Sequence, residues 1–169
     1  MDSRLALAAR PGMTKGRQMP KPQHEKPHAH VSLITLGVTD VGRSSRFYEQ
    51  LGFVRKMKQT GDEVAFLDAG GIVLACWGAE EIAAESGFKP PPKGSFRGVT
   101  VAWNCQTEKD VETVVAMAVE AGGTCVKQPQ RAVWGGYHGH FADPDGHVWE
   151  VAHNPHFPLS PDGKPNLPD

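Results

Sequence analysis

The chain says the same thing twice, and that repetition limits its fold more than any other feature. Residues 31–38 (VSLITLGV) are a β-branched apolar run, the composition of a strand. Asp40 then stands where a helix cap belongs. Ser44, Phe47, Tyr48 and Leu51 follow at i, i+3, i+4 and i+7, the stripe of a half-buried helix, and Gly52 ends it. Three strand-like segments come next, at 53–58, 63–67 and 72–77, with turns at Gly61-Asp62 and Gly70-Gly71. A connector, 79–96, holds a short helical stretch (EEIAAES) and the run Pro90-Pro91-Pro92. The pattern then restarts with a strand at 99–103. Thr107 and Asp110 form a capping box, and Val111, Val114, Val115, Ala118 and Val119 make the second stripe. Gly122-Gly123 closes that helix, and strands at 125–127, 136–142 and 147–152 complete the unit. Two βαβββ modules, 30–78 and 97–154, predict an α+β domain in which half-sheets curl as a mixed sheet around a cleft.

The closing hairpin, GGYHGHFADPDGHVWEVAHN, carries the chemistry. Asp143-Pro144-Asp145-Gly146 has turn composition, Pro presetting φ and Gly supplying the positive φ of a reversal. Strand alternation puts His138 and His140 on one face and Val148, Glu150 and Ala152 on one face of the next strand. Trp149 and Val151 then point toward a helical layer. A carboxylate in such an apolar strand is costly to bury without a partner, which singles out Glu150.

Composition removes several function classes. With a net charge of −1, nothing calls for nucleic acid or an anionic membrane, and no apolar run approaches a membrane span. Three cysteines, Cys76, Cys105 and Cys125, lack CxxC spacing, so buried inert thiols and a cytoplasmic, reducing setting are expected. Residues 1–29 read as a flexible basic tail whose His24 and His28 are spacers, beside His30 at the start of the domain; 155–169 read as a Pro-rich C-terminal tail.

The order βαβββ-βαβββ, the opening LGVTDVGRSSRFYEQLGF and the closing FADPDGHVWEV resemble the vicinal oxygen chelate superfamily of glyoxalases, bleomycin-binding proteins and extradiol dioxygenases, over residues 30–154. The resemblance implies a homodimer and a small-molecule cleft. It also implies a divalent cation that polarises a substrate oxygen, held by His, Gln or Glu side chains at matching strand positions. Glu150 matches the ligand of the last strand. The other three positions fall on Leu33, on Thr100 and on or beside Ala75, and neither Leu nor Ala can ligate a metal.

Two function classes follow. In the first, the cleft binds a small organic molecule without the usual metal, to sequester or sense it, or to isomerise or cleave it with Glu150 as base. In the second, His138, His140 and Glu150 form a rearranged site for zinc, nickel, manganese or iron performing glyoxalase or dioxygenase chemistry. Pocket lining is the alternative role of the two histidines. Thr35, Thr100 and Asn104 are expected to face the substrate, and Trp134 and Tyr137 to form an aromatic lip around Gly135-Gly136. Asp143 and Asp145 are read as turn chemistry, and His147 and His153 as surface residues.

Overall fold

The computed structural model describes residues 28–92 and 94–167, and the described residues from Val31 onward form one compact unit. Up to residue 27 the expected tail, with His24, lies outside the described residues. The first module runs β1 (Leu33–Val38), α1 (Val41–Gln50), β2 (Val54–Lys56), a 3-10 turn (Lys58–Thr60), β3 (Val64–Asp68) and β4 (Val73–Gly78). A connecting helix α2 (Ala79–Glu85) leads to β5 (Thr100–Asn104), α3 (Glu108–Glu120), β6 (Thr124–Arg131), β7 (Tyr137–Ala142) and β8 (Val148–His153). The caps are those the sequence signals. Asp40 accepts a bond from Arg43 N at 2.8 Å, and Thr107 and Asp110 cap α3 reciprocally at 3.1 and 3.0 Å.

The modules build two four-stranded mixed sheets, β1-β4-β3-β2 and β5-β8-β7-β6. Their registers superpose. Thr35 pairs with Ala75 as Ala102 pairs with Glu150, and Phe66 pairs with Ala75 as His140 pairs with Glu150. Leu33 therefore corresponds to Thr100, and Ala75 to Glu150, as read from the sequence.

One core serves both sheets. Leu36 and Val38 of β1, Leu74 and Cys76 of β4, and Phe141, Trp149 and Val151 of the second sheet belong to a single buried cluster with Phe47, Tyr48 and the α3 stripe. Helix α1 packs on β3 and β4, while its Phe47 ring lies 6.2 Å from Phe141 and its Tyr48 ring 5.7 Å from Trp149. Because α1 touches the inner faces of both sheets, their open faces lie on opposite sides of the shared core. Val119 departs from its expected stripe and is exposed, since Val111, Val114, Val115 and Ala118 already fill the face of α3 turned to the sheet. Burial pushes the Cys76 and Cys105 thiols up to about 12, which makes them inert.

The Asp-Pro-Asp-Gly turn does more than reverse the chain. Asp145 reaches across to the first module and accepts bonds from Thr39 N (2.9 Å), Thr39 Oγ1 (2.7 Å), Arg43 Nη2 (2.7 Å) and Ser44 Oγ (2.8 Å). Buried Asp143 accepts from Tyr48 Oη at 2.7 Å, and Trp149 Nε1 donates to the same hydroxyl at 3.2 Å. Burial and the neighbouring Asp143 raise the Tyr48 pKa well above its ordinary value, so the phenol stays a donor. His147, expected at the surface, is half-buried and bonds Gly37 O at 2.9 Å, beside the Arg97 guanidinium. His153 is likewise half-buried, with Nδ1 at 3.2 Å from Cys105 O. Ser44 belongs to this polar latch rather than to an apolar stripe. A buried hydroxyl needs an acceptor, and Asp145 supplies one.

Candidate functional site

The open face of the second sheet gathers the polar groups. In-register pairing of β7 with β8 sets His138 beside Ala152 and His140 beside Glu150, so both imidazoles and the carboxylate share one face. His138 Nδ1 is 2.8 Å from Glu150 Oε1, and its Nε2 is 3.0 Å from Lys127 Nζ. An ammonium has only protons to give, so Lys127 donates to Nε2, and His138 in turn donates its Nδ1 proton to Glu150. The result is a hydrogen-bonded chain, Lys127–His138–Glu150. His140 completes the group with its ring 5.3 Å from that of His138. Burial lowers the His140 pKa below its ordinary value despite the opposing pull of Glu150, and its Nδ1 is shut from solvent without a partner.

Sequence periodicity alone does not single out Lys127. The pattern 125–127 predicts a strand ending there, whereas β6 continues to Arg131 through two register irregularities. Its signal was available in the Cys125-Val126-Lys127 alternation, but which of two strand faces carries a lysine depends on a register that bulges alter.

The other expected residues divide between faces. Thr100 and Asn104 stand on β5 on the same face as Glu150. Thr35 points from the open face of the first sheet, so one chain does not bring it to Glu150. Trp134 does reach the site, its ring 5.6 Å from that of His138, and a Cβ at Gly136 would overlap the indole. Tyr137 does not. One residue before His138 on the same strand, it points to the other face, packs on the core and donates to Glu112 of α3 at 3.3 Å.

Of the positions that the resemblance assigns to a metal, Leu33 and Ala75 carry no donor atom and Thr100 only a neutral hydroxyl, which leaves Glu150 alone. His138, His140 and Glu150 have donors: one potential ligand atom from each lies within 4.8 Å of the others. The unpartnered His140 Nδ1 fits such a role, while Lys127 competes for the His138 lone pair and brings a like charge to the site.

A profile of the Glyoxalase/Bleomycin resistance protein/Dioxygenase superfamily matches residues 8–151. The chain belongs to that superfamily. A glyoxalase-related enzyme from Fulvimarina pelagi is 32% identical, with a TM-score of 0.73 over 82% of this chain and 97% of that one. A glyoxalase/bleomycin resistance protein/dioxygenase family enzyme from Burkholderia phytofirmans (23% identity, TM-score 0.64, 74% and 98% covered) shares the fold. So does a lactoylglutathione lyase from Agrobacterium tumefaciens (18% identity, TM-score 0.58, 76% and 96% covered). No curated protein matches the chain. Among the described residues, no helix is long and apolar enough to cross a membrane.

Proposed function

We propose that this superfamily member binds a small organic molecule over Glu150 and that Glu150 acts on it as a base, without the family's usual metal set. The observation that carries this reading is the Lys127–His138–Glu150 chain. It fixes the carboxylate from one side and leaves its side chain about one-third exposed toward the open face. A carboxylate so oriented takes a proton from the hydroxyl-bearing carbon of an α-hydroxycarbonyl compound; the C–H pair becomes the C=C bond of an enediolate as the carbonyl π pair moves to oxygen, and the proton returns to the former carbonyl carbon as the hydroxyl on the first carbon loses its proton and becomes the new carbonyl. Trp134, Thr100 and Asn104 surround the substrate position. The opposite wall of the cleft comes from a second copy of the chain in a homodimer. The first sheet's open face, with Leu33, Phe66 and Trp77 around Thr35, is apolar and partly exposed, as a surface awaiting a partner would be.

The second reading rests on the 4.8 Å clustering of His138, His140 and Glu150. A cation held there would supply Lewis-acid polarisation of a substrate oxygen, and Lys127 would have to release His138. Elemental analysis of tag-free protein, followed by titration with zinc, nickel, manganese and iron(II), separates the two. Background metal and no saturable uptake is the expected result. One tightly held ion per chain, lost in Glu150→Gln and His140→Ala, would overturn the metal-free reading.

A further inference from the structure

The latch closes one end of the space between the sheets; the other end is open. There the inner faces diverge around a cavity of about 610 Å³, within the roughly 300–1,000 Å³ typical of small-molecule sites. Its walls are core-facing side chains: Ile34 and Leu74 from the first sheet, Val101, Trp103 and Trp149 from the second, and Phe53 after α1. Phe53 meets Trp103 and Trp149 edge-on, at 5.5 and 5.8 Å between ring centroids. Trp103 and Phe53 remain only partly buried, so apolar aromatic surface faces this space uncovered.

The rim is polar and built by two turns. One is the β3–β4 turn, with Asp68, Ala69 and Gly71. The other belongs to the C-terminal segment, where Leu159 bridges Pro165, Ser160 N donates to Lys164 O at 2.9 Å, and Gln106 Nε2 holds Ser160 O at 3.2 Å. Lys164 carries its carbon stem over Gly71, where an added Cβ would lie 3.1 Å from Lys164 Cε, and pairs its ammonium with Asp162 at 2.6 Å. With that cation already paired, the rim offers an anion little.

We infer that this inter-sheet cavity is a second ligand site, distinct from the Glu150 face, and that it takes a flat, uncharged molecule of two or three aromatic rings. The walls of the cavity point away from Glu150, because Val101, Trp103 and Trp149 alternate with Ala102 and Glu150 along their strands. The inference does not depend on the reading of the Glu150 face.

The test is a fluorescence titration with N-phenyl-1-naphthylamine, an uncharged three-ring amine that brightens in apolar surroundings. Saturable binding of one probe per chain, with energy transfer from tryptophan, is expected. Ile34→Trp, which fills the cavity from its wall, should weaken binding at least tenfold, and Ala69→Phe at the rim should do the same from outside. Glu150→Gln should leave the affinity within twofold of wild type. Absence of saturable binding would overturn the inference. So would wild-type affinity in Ala69→Phe, which is solvent-accessible and serves if Ile34→Trp does not fold. Loss confined to Glu150→Gln would place the probe on the other face and overturn it too.

Discussion

The β3–β4 and β7–β8 turns occupy equivalent places in the two modules and do opposite work. The first, Ala69 to Ile72, closes with a bond from Ala69 N to Ile72 O at 3.0 Å; the second, Asp143 to His147, closes with Asp143 N to His147 O at 3.0 Å. The second is one residue longer and carries two carboxylates and an imidazole into the first module. The first carries small residues and leaves its end of the inter-sheet space open. The strands beside these turns differ as sharply. Where the second sheet shows His138, His140 and Glu150, register places Val64, Phe66 and Ala75 on the first. Both modules keep a lysine at the matching edge position, Lys56 opposite Phe66 and Lys127 opposite His140. Only Lys127 finds an imidazole there. A duplicated backbone thus holds one polar face and one apolar face, joined at one end by ionic hydrogen bonds.

The largest effect expected from disturbing this asymmetry is at the latch. Asp145→Ala leaves Arg43, Ser44 and Thr39 without their shared acceptor and should cost about 3–5 kcal/mol, measured by urea unfolding. The pH dependence has a definite sign. Burial raises the Asp145 pKa, but the bonds from Thr39, Arg43 and Ser44 outweigh it and hold the folded value below the ordinary one. The associated stability is therefore present above the unfolded carboxylate value of about 3.9 and is lost as pH falls through the lower folded value. A wild-type acid-unfolding slope that persists unchanged in the variant would show that Asp145 is not its source.

On the Glu150 face, Glu150→Gln should lower turnover of any substrate found by about 10²–10⁴-fold while leaving the melting temperature within a few degrees. Activity retained in that variant would remove the base role. Lys127→Met tests the competition between ammonium and metal: freeing the His138 lone pair should turn background zinc uptake into saturable binding in calorimetric titration. Zinc uptake that stays at background would mean that Lys127 does not guard the site.

The smallest change converts one position of the second sheet into its first-sheet counterpart. His140→Phe should shift stability by only about 1 kcal/mol near neutral pH and flatten its dependence below it. Because burial depresses the folded pKa of His140, the unfolded chain binds its proton first. Stability from this group is thus full above about pH 6.5 and falls as pH drops toward the folded value. Thermal melts from pH 5 to 7.5 would show whether that slope disappears.

Much of this was legible in the chain itself. Helix caps at Asp40 and Thr107, the strand and helix order and the duplication follow from local hydrogen-bonding and periodicity, which operate over a few residues. The shared face of His138, His140 and Glu150 followed as well, because alternation along a hairpin needs only the strand and its turn. Tyr137 went to the core by the same rule of alternation, one residue out of step with His138. Tertiary structure decided the rest. Asp143, Asp145 and His147 look like ordinary turn residues until α1, about a hundred positions earlier, is packed beneath them; only then do buried Tyr48 and Ser44 require acceptors. Lys127 joins His138 only after two irregularities in β6 set its register. The cavity exists because two sheets fastened at one end diverge at the other. Sequence by itself determined which residues each strand offers to each face, since strand geometry is local; which faces, turns and edges meet was decided by packing two copies of one module around a single core.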